Sequence, residues 1–405
     1  MKLSEDLAWR GLIKDKTFAD NSWLDTPRKF YWGVDASSDS LTIGNLAAAM
    51  LARRLADAGW QAVLLAGGAT SLVGDPGGKN EERQLQSREE IAKNIDGIKS
   101  QIEKLFAGQP HETVNNLDWL DGLKYLDFLR DIGKSFSMTE LMQREFVDTR
   151  MGDAGSGISY AEFSYSLLQG YDAWYLFKNK QVELQIGASD QWGNMLSGVS
   201  LIRKRENAEA HAFSMPLVVN KQTGIKFGKS EEGAIWLDPE RTTPSQFYQF
   251  WINAGDDDVE DYLKIFTLLD RGEIEQIMSD QKANPAQRAA QKRLASEVTK
   301  LVHGEDAVSD AESHAEMITS GSAIPSSSEG VTYKLGAGIS LVDALVATKL
   351  AVSNSEARRL IDGGGVYVNN TQSKQERLEA TDFHDGRLLL RRGKAFKDSA
   401  LVELE

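Results

Sequence analysis

Three separated segments of this 405-residue chain carry side chains whose types and spacing suit chemistry on a phosphate-bearing ligand. The first runs from Tyr31-Trp32-Gly33-Val34-Asp35 to Asp39-Ser40-Leu41-Thr42-Ile43-Gly44-Asn45. It reads as a strand end that leads into a helix N-terminus, where free backbone N–H groups and the positive end of the helix dipole suit a phosphate. Gly44 permits close approach of an adenine or a ribose. An ordinary capped helix uses the same residue types, so the segment alone leaves both readings open. The second segment is Lys226-Phe227-Gly228-Lys229-Ser230. Two lysines and a hydroxyl on a glycine-containing loop can surround a pyrophosphate that gains charge as it leaves; a solvated loop is the alternative. It is not a Walker loop, because the nearest approach to that pattern, residues 73–80, has Val73 where the first glycine belongs. The third segment spaces Tyr165, Gln169 and Asp172 four and three residues apart, with Gln185, Asp190 and Gln191 following. Helical spacing puts the first three on one face, where they either satisfy one another or line a ligand.

These groups need elements to hold them. Residues 30–34 predict a short strand, and residues 45–57 a helix with Leu46, Met50, Leu51 and Leu55 on one face, closed by Gly59. Residues 62–66 form an unbroken apolar run suited to a buried parallel strand, followed by a turn at residues 67–70. Residues 182–187 and 215–219 predict two further strands. Strand, helix, strand with functional loops at the strand ends is the pattern of a Rossmann-like parallel α/β sheet. Near Thr243 the pattern becomes helical through residue 303, with Trp251, Tyr262, Leu263, Phe266 and Leu269 as core candidates. Residues 321–331 are Ser/Gly-rich and read as a linker. Beyond them, residues 340–350 and 355–362 suggest helices, Gly363-Gly364-Gly365 a turn, and residues 366–368 and 386–392 strands.

Composition narrows the function classes. At 41% hydrophobic residues the chain can build a sizeable core and more than one domain. Cysteine is absent, which rules out disulfides and thiolate metal sites. The five histidines, His111, His211, His303, His314 and His384, make no short-spaced ligand pair, so no protein-bound metal is expected. Residues 1–20 mix charges with short apolar runs, and no window approaches the roughly 18 apolar residues of a membrane span. A soluble cytoplasmic protein with neither membrane nor DNA as a partner is expected. The net charge is −14, yet residues 331–405 hold 11 Lys+Arg against 10 Asp+Glu, leaving that tail at +1 and the first 330 residues at −15. Local contacts with RNA phosphates therefore remain open.

Taken together the segments resemble the bacterial tyrosyl-tRNA synthetases, a class I aminoacyl-tRNA synthetase family, along nearly the whole chain. The resemblance is carried by Tyr31-x-Gly33-x-Asp35, Gly67-Gly68-Ala69-Thr70, Gly74-Asp75-Pro76, FLRDIGK at 128–134, Glu162-Phe163-Ser164-Tyr165, Ser189-Asp190-Gln191-Trp192-Gly193-Asn194, the lysine loop at 226–230, and FYQFWIN at 247–253. It implies a ligase that activates L-tyrosine with ATP and passes it to the 3′ end of tRNA(Tyr). Tyr31 and Asp172 would then bond the substrate phenol, while Thr70, Tyr165, Gln169 and Asp75 hold the ammonium group. Gln191 would place the carboxylate, with Gln185 in the same pocket and Asp35 between amino acid and ATP. Gly33, Gly44, Gly187 and Asp190 would meet the nucleotide, and Asp190 would bond the ribose. Lys79 and Arg83 match mobile-loop residues that act on the pyrophosphate with Lys226, Lys229, Ser230, Thr42, Asn45 and Ser37. Selection of tyrosine over phenylalanine by a buried polar pair, on the order of 10⁵, is an established property of this enzyme class.

The resemblance further implies a catalytic domain over residues 1–225, a loop and connection at 226–242, and a helical anticodon-recognition domain at 243–320. A linker at 321–333 and an S4-like RNA-binding domain at 334–405 would follow, the last offering Arg358, Arg359, Arg391 and Arg392 to tRNA. Magnesium would accompany ATP, and the family is homodimeric through the region matching residues 125–136. The chain departs from the family where His-x-Gly-His/Asn becomes Thr42-Ile43-Gly44-Asn45, where Pro and Thr become Ala36 and Ser37, and at Trp32 and Ala188. Losing one transition-state donor costs about 2.7–4 kcal/mol, or roughly 10²–10³ in rate. These departures support an alternative, a weakened paralogue that binds tyrosine or structured RNA. A tryptophan-specific sibling fits less well, since an indole offers one N–H donor to the Tyr31–Asp172 pair.

Overall fold

The computed structural model describes residues 1–75, 85–142, 147, 151, 157–221, 224, 227, 229–230, 233–320, 333–369, 371–384, 386–393 and 399–405; at 229–230, 233, 313–320, 399 and 401 it describes the backbone alone. They form two compact units, one from Met1–Thr242 with Trp251–Val302, the other from Thr243–Phe250 with His303–Glu405.

The first unit is built on a six-stranded sheet in the order β1-β6-β5-β2-β3-β4. Its strands are β1 (Asp15–Lys16), β2 (Lys29–Asp35), β3 (Gln61–Gly67), β4 (His111–Asn115), β5 (Leu184–Ala188) and β6 (His211–Met215). All neighbours run parallel except the edge strand β1. Helix α1 (Leu3–Trp9) precedes the sheet; α2 (Ile43–Asp57), α3 (Gly68–Val73) and α4 (Arg88–Leu105) lie between β2 and β4. The short α5 (Leu117–Leu120), α6 (Tyr125–Asp127) and α7 (Met138–Met142) lead to the long α8 (Tyr160–Lys180), and α9 (Trp192–Glu206) follows β5. The apolar run of β3 is buried from Ala62 to Ala66, as a central strand covered on both faces requires. The strand order reverses between β2 and β5, where α/β sheets of this kind open a ligand crevice at the carboxyl ends.

Two expected elements moved. The strand expected at 215–219 is instead β6, which pairs from His211 and ends at Met215, because Pro216 has no N–H to donate to a ladder. The expected turn at 67–70 is the start of α3. Gly68 is there for packing, since a Cβ would sit 2.6 Å from Asn115 Oδ1 and 2.8 Å from Leu117.

At the end of the lysine loop, β7 (Lys229–Ser230) pairs antiparallel with β8 (Gly233–Ala234). Helix α10 (Pro244–Ile252) contains the boundary between the units, and α11 (Val259–Phe266), α12 (Arg271–Ala283) and α13 (Ala289–His303) complete the first. The C-terminal end of α11 is capped by two buried arginines: Arg10 donates to the carbonyls of Lys264 (2.9 Å) and Leu269 (2.7 Å), and Arg54 to those of Lys264 (3.0 Å) and Thr267. A cation at helix-end carbonyls satisfies acceptors that the helix leaves open. Burial, and then the charge of Arg10, lowers the Arg54 pKa to about 9.

In the second unit α14 (Glu305–Ser320) is followed by a five-stranded sheet in the order β11-β10-β12-β13-β9. Its strands are β9 (Tyr333–Leu335), β10 (Val366–Val368), β11 (Thr371–Gln372), β12 (Arg387–Arg392) and β13 (Ser399–Leu404). Helices α15 (Leu341–Ala347) and α16 (Asn354–Asp362) share a core with it through Leu341, Leu345, Ala357, Val366, Leu388 and Val402.

Helix α4 holds the loop that follows β2. Asn94 Nδ2 donates to the Ala36 carbonyl (2.9 Å), Gln101 Nε2 to Ser40 Oγ (3.0 Å), and Gln101 Oε1 accepts from the Leu41 N–H (2.8 Å). Between them, a Cβ on Gly97 would lie 2.1 Å from the Asp39 carbonyl oxygen. Helix propensity alone would favour alanine at position 97 by roughly 0.5–1 kcal/mol, but neither backbone can yield without moving the loop. Gly97→Ala is therefore expected to lower the melting temperature and weaken ATP binding together; thermal melts and ATP titration that both match wild type would refute the contact.

Candidate active site

The site grows from the carboxyl end of β2. Alternation places Tyr31, Gly33 and Asp35 on one face of the strand, with Trp32 buried on the other at 3% exposure. Gly33 keeps the floor between Tyr31 and Asp35 low. Tyr31 pairs in register with Gln185 of β5, across the point where the strand order reverses.

Asp172, on α8, is 1% exposed. Its Oδ1 accepts from the Trp119 indole N–H (2.8 Å) and its Oδ2 from Asn116 Nδ2 (3.0 Å). Burial raises its pKa to about 7 against the lowering effect of these two donors. The Tyr31 hydroxyl is buried and has no hydrogen-bond partner among the described residues. Burial and then the charge of Asp172 push its pKa well above the ordinary phenol value. A buried hydroxyl left unpartnered costs about 1–3 kcal/mol, so the pocket is incomplete until something polar enters it.

Asp35 is the second anchor. Its Oδ1 accepts from Thr70 Oγ1 (2.7 Å) and its Oδ2 from the Tyr165 hydroxyl (2.9 Å). Burial, and then the charges of Asp35 and Asp75, hold the Tyr165 pKa far above its usual value. Asn116 joins the two anchors, because its Nδ2 also donates to Thr70 Oγ1 (3.1 Å) and its Oδ1 accepts from the Ala69 N–H (2.7 Å). At the rim, Gln191 Nε2 donates to Asp75 Oδ2 (2.7 Å), and Asn194 donates to Gln191 Oε1 (3.2 Å). Gln185 is buried with its Oε1 unpartnered among the described residues, and Gln169 is half-buried. Three carboxylates, two phenols and several amides thus converge on a floor of strand ends, an arrangement that suits a small cationic ligand with a hydroxyl.

The phosphate side is built on α2. Thr42 is its N-cap; its hydroxyl (2.9 Å) and its N–H (3.0 Å) both donate to Asn45 Oδ1. The segment Leu41–Thr42–Ile43 pairs with Ile235–Trp236–Leu237: Leu237 N–H donates to the Leu41 carbonyl (2.8 Å) and Ile43 N–H to the Ile235 carbonyl (3.1 Å). Helix geometry leaves the Gly44 N–H without an i−4 carbonyl at the open end of α2, while the capping box closes the Asn45 N–H onto the Thr42 side chain. Ser37, Gly44 and Asp190 are exposed, and Gly187 is buried against Met195 and Gln191. Lys79, Arg83 and Lys226 lie outside the described residues, and Lys229 and Ser230 are placed by backbone alone.

Among the four arginines expected to meet RNA, Arg358 and Arg359 are exposed on α16, and Arg392 pairs with Glu356 at 3.0 Å. Arg391 is 6% exposed and lies over the Tyr367 ring at 5.5 Å, and burial lowers its pKa. Asn116 and Trp119 were not legible as site residues. Their one sequence signal is a polar Asn115-Asn116 pair at the end of the mixed-polarity strand His111–Asn115.

The raised Asp172 pKa has a measurable consequence. A ligand hydroxyl is accepted best by the ionised carboxylate, so protonation opposes binding. Affinity for L-tyrosine is expected to be weakest near pH 5.5, to rise by up to ~10-fold per unit, and to level off above about pH 7.5. Equilibrium titration across that range checks it, and a flat profile would show that Asp172 does not take the phenol.

Comparison with known proteins agrees with this geometry. Residues 25–320 match the family described as tRNA synthetases class I (W and Y), and residues 326–397 the tyrosine–tRNA ligase SYY-like C-terminal domain. The chain is 42% identical to the tyrosine–tRNA ligase of Roseiflexus castenholzii over 412 residues, covering 96% of this chain and 97% of that one. It is 40% identical to that of Listeria innocua, covering 97% and 98%. The crystal structure of a C-terminally truncated mitochondrial tyrosyl-tRNA synthetase from Aspergillus nidulans superposes with a TM-score of 0.70 at 32% identity, over 78% of this chain and 94% of that one. A buried phenol–carboxylate pair, a helix N-terminus zipped to the segment after a lysine loop, and kinship over nearly the full length converge: the chain belongs to the tyrosine–tRNA ligases of the class I aminoacyl-tRNA synthetases.

Proposed function

We propose that this chain activates L-tyrosine with ATP and transfers it to tRNA(Tyr), and that the observation carrying this reading is the unpartnered, buried Tyr31 hydroxyl beside Asp172. The substrate phenol donates to Asp172 and accepts from Tyr31, so phenylalanine leaves both unsatisfied. Its ammonium lies among Asp35, Asp75, Thr70, Tyr165 and Gln169, and Gln191 and Gln185 orient the rest of the amino acid. One carboxylate oxygen of tyrosine then attacks the α-phosphorus of ATP, the bond to pyrophosphate breaks, and tyrosyl-adenylate forms. No proton transfer is needed, so catalysis is positioning and charge stabilisation. The Gly44 N–H and the Asn45 side-chain amide, with Lys79, Arg83, Lys226, Lys229 and Ser230, take the charge gained by the pyrophosphate; Gly33, Gly187 and Asp190 meet the adenosine. Magnesium enters with ATP as part of the substrate. In the second step a ribose hydroxyl at the 3′ end of tRNA attacks the adenylate carbonyl and AMP leaves. The domain boundaries near 225, 242, 320 and 333 and a tRNA-holding tail are part of the same proposal, as is work in the cytoplasm; no helix of the described residues is long and apolar enough to cross a membrane.

One observation favours a slower enzyme. Thr42, in the place of the family's first histidine, directs its hydroxyl to Asn45. Tyrosine-dependent ATP–pyrophosphate exchange tests both readings. Wild type is expected to exchange with tyrosine and not with phenylalanine or tryptophan, Tyr31→Phe to lose at least ~10-fold of the tyrosine preference, and Thr42→His to exchange ~10-fold faster or more. Absence of exchange in wild type would leave the non-catalytic paralogue.

We further propose a homodimer. Tyr125, Leu126, Met138, Met142 and Tyr160 are exposed large apolar side chains that adjoin the FLRDIGK motif in sequence or share a hydrogen bond between the Tyr125 and Tyr160 hydroxyls. Sedimentation equilibrium is expected to give twice the 44.7 kDa chain mass, falling toward one chain in Leu126→Asp; a monomeric wild type at micromolar concentration would sink the proposal.

A further inference from the structure

Phe227, inside the lysine loop, is bound on three sides. Its N–H donates to the Val218 carbonyl at 2.8 Å. Its ring centroid lies 4.6 Å from that of Tyr262, 5.3 Å from Phe266 and 5.6 Å from Trp251, all buried. Its carbonyl oxygen lies beside the first turn of α2, at ordinary van der Waals distance (3.5 Å) from where a Cβ on Gly44 would sit.

The seat for that ring is made by Tyr262 and Phe266 of α11 with Trp251 of α10, and α11 and the residues just before it also hold the approach to the loop. Lys221 N–H donates to Asp258 Oδ1 (3.1 Å), and Lys221 Nζ donates to the Asp257 carbonyl (2.8 Å) and pairs with Asp261 (2.7 Å). At its other end α11 is capped by Arg54, which projects from α2. Helix α11 is therefore tied at one end to the root of the lysine loop and at the other to the helix whose N-terminus faces the phosphates. A half-buried aromatic ring with three buried ring neighbours in tilted geometry has little freedom to shift.

We propose that Phe227 is a positioning residue for the activation step: its ring, seated on Trp251, Tyr262 and Phe266, fixes the point from which the lysine loop reaches over the N-terminus of α2. The inference rests on the reading that Lys226, Lys229 and Ser230 act on the departing pyrophosphate. It places control of the activation rate partly in a helix that touches neither substrate. Displacing a reacting group by an ångström costs on the order of 10²-fold in rate, whereas the tyrosine pocket, built on β2, α3 and α8, shares none of these contacts.

The test uses the full-length protein and four variants: Phe227→Met, Phe227→Leu, Phe227→Ala and Lys229→Ala. Exchange kinetics, equilibrium tyrosine binding and melting temperature are measured for each. The kcat for exchange is expected to fall in the order Phe, Met, Leu, Ala, by ~10²-fold at alanine, with tyrosine affinity unchanged within about twofold and methionine restoring most of the rate through its adaptable contact with aromatic rings. A kcat for Phe227→Ala within about threefold of wild type, or tyrosine affinity and kcat falling in parallel, overturns the inference as a merely structural contact. If alanine prevents folding, Phe227→Leu decides by the same criterion. Lys229→Ala separates the levels: loss of exchange there with full activity in the Phe227 variants refutes only the positioning role, while full activity in Lys229→Ala refutes the lysine-loop reading and this inference with it.

Discussion

A carboxylate with 1% exposure has to be kept in place by its neighbours, and the arrangement around Asp172 shows how much of the first unit serves that end. Taking a lone charge out of water costs several kcal/mol even after relaxation, and the group answers by shifting its pKa unless donors hold it. Here two donors hold it, Asn116 from the end of β4 and Trp119 from α5, and the Trp119 ring is fixed in turn by stacking on Tyr175 at 4.5 Å. These donors leave the pKa at about 7, so the carboxylate stays sensitive to the next donor that arrives. The same Asn116 reaches Thr70 and thence Asp35, so the Asp172 end and the Asp35 end of the site are held by one amide. The parallel sheet makes this possible, because the ends of β2, β3 and β4 come side by side and deliver Asp35, Gly67 and Asn115 in adjacent register.

The α2 end of the site follows a different logic: stiffness comes from pairing around the loop after β2. Ser40 shows the economy of this wiring. Its hydroxyl donates to the Leu41 carbonyl (2.9 Å) and accepts from Gln101 and from the Asp238 N–H (3.1 Å), so one small side chain joins the loop after β2, helix α4 and the segment beyond the lysine loop. Asp39, beside it, pairs with Arg241, whose guanidinium lies 4.5 Å from the Trp236 ring. Positions that would tolerate many residue types on a free loop are in this way each given a partner.

Much of this was legible in the sequence, and the limits of legibility have physical causes. Tyr31 with Asp35, and Tyr165 with Asp172, could be read because strand and helix periods of two and about 3.6 put them on shared faces. The helix at 45–57 was read two residues short, since the polar residues ahead of it suited a cap and a ligand loop alike; Thr42 is the N-cap and the Asn45 side chain closes it. Asn116 could not be read, because its contact with Asp172 spans 56 residues and no local period marks it. In a strand, neighbouring side chains face opposite sides, so Arg391 and Arg392 point apart, a difference that naming them together did not show. Gly68 was read as part of a turn, yet it and Gly97 are both places where a side chain has no room.

Helix α4 contacts the loop after β2 through Asn94, Gly97 and Gln101, all from one face. Each residue of an α-helix advances the face by about 100°. A single codon lost or gained within α4 ahead of Asn94 would therefore rotate the two amides away and bring a side chain onto the Asp39 carbonyl in place of Gly97. Substitutions along the outer face of α4 leave this contact alone, but its length does not have the same licence. In this stretch of the gene, reading phase along the helix is under tighter constraint than residue identity, and any length variation has to fall in the connections on either side.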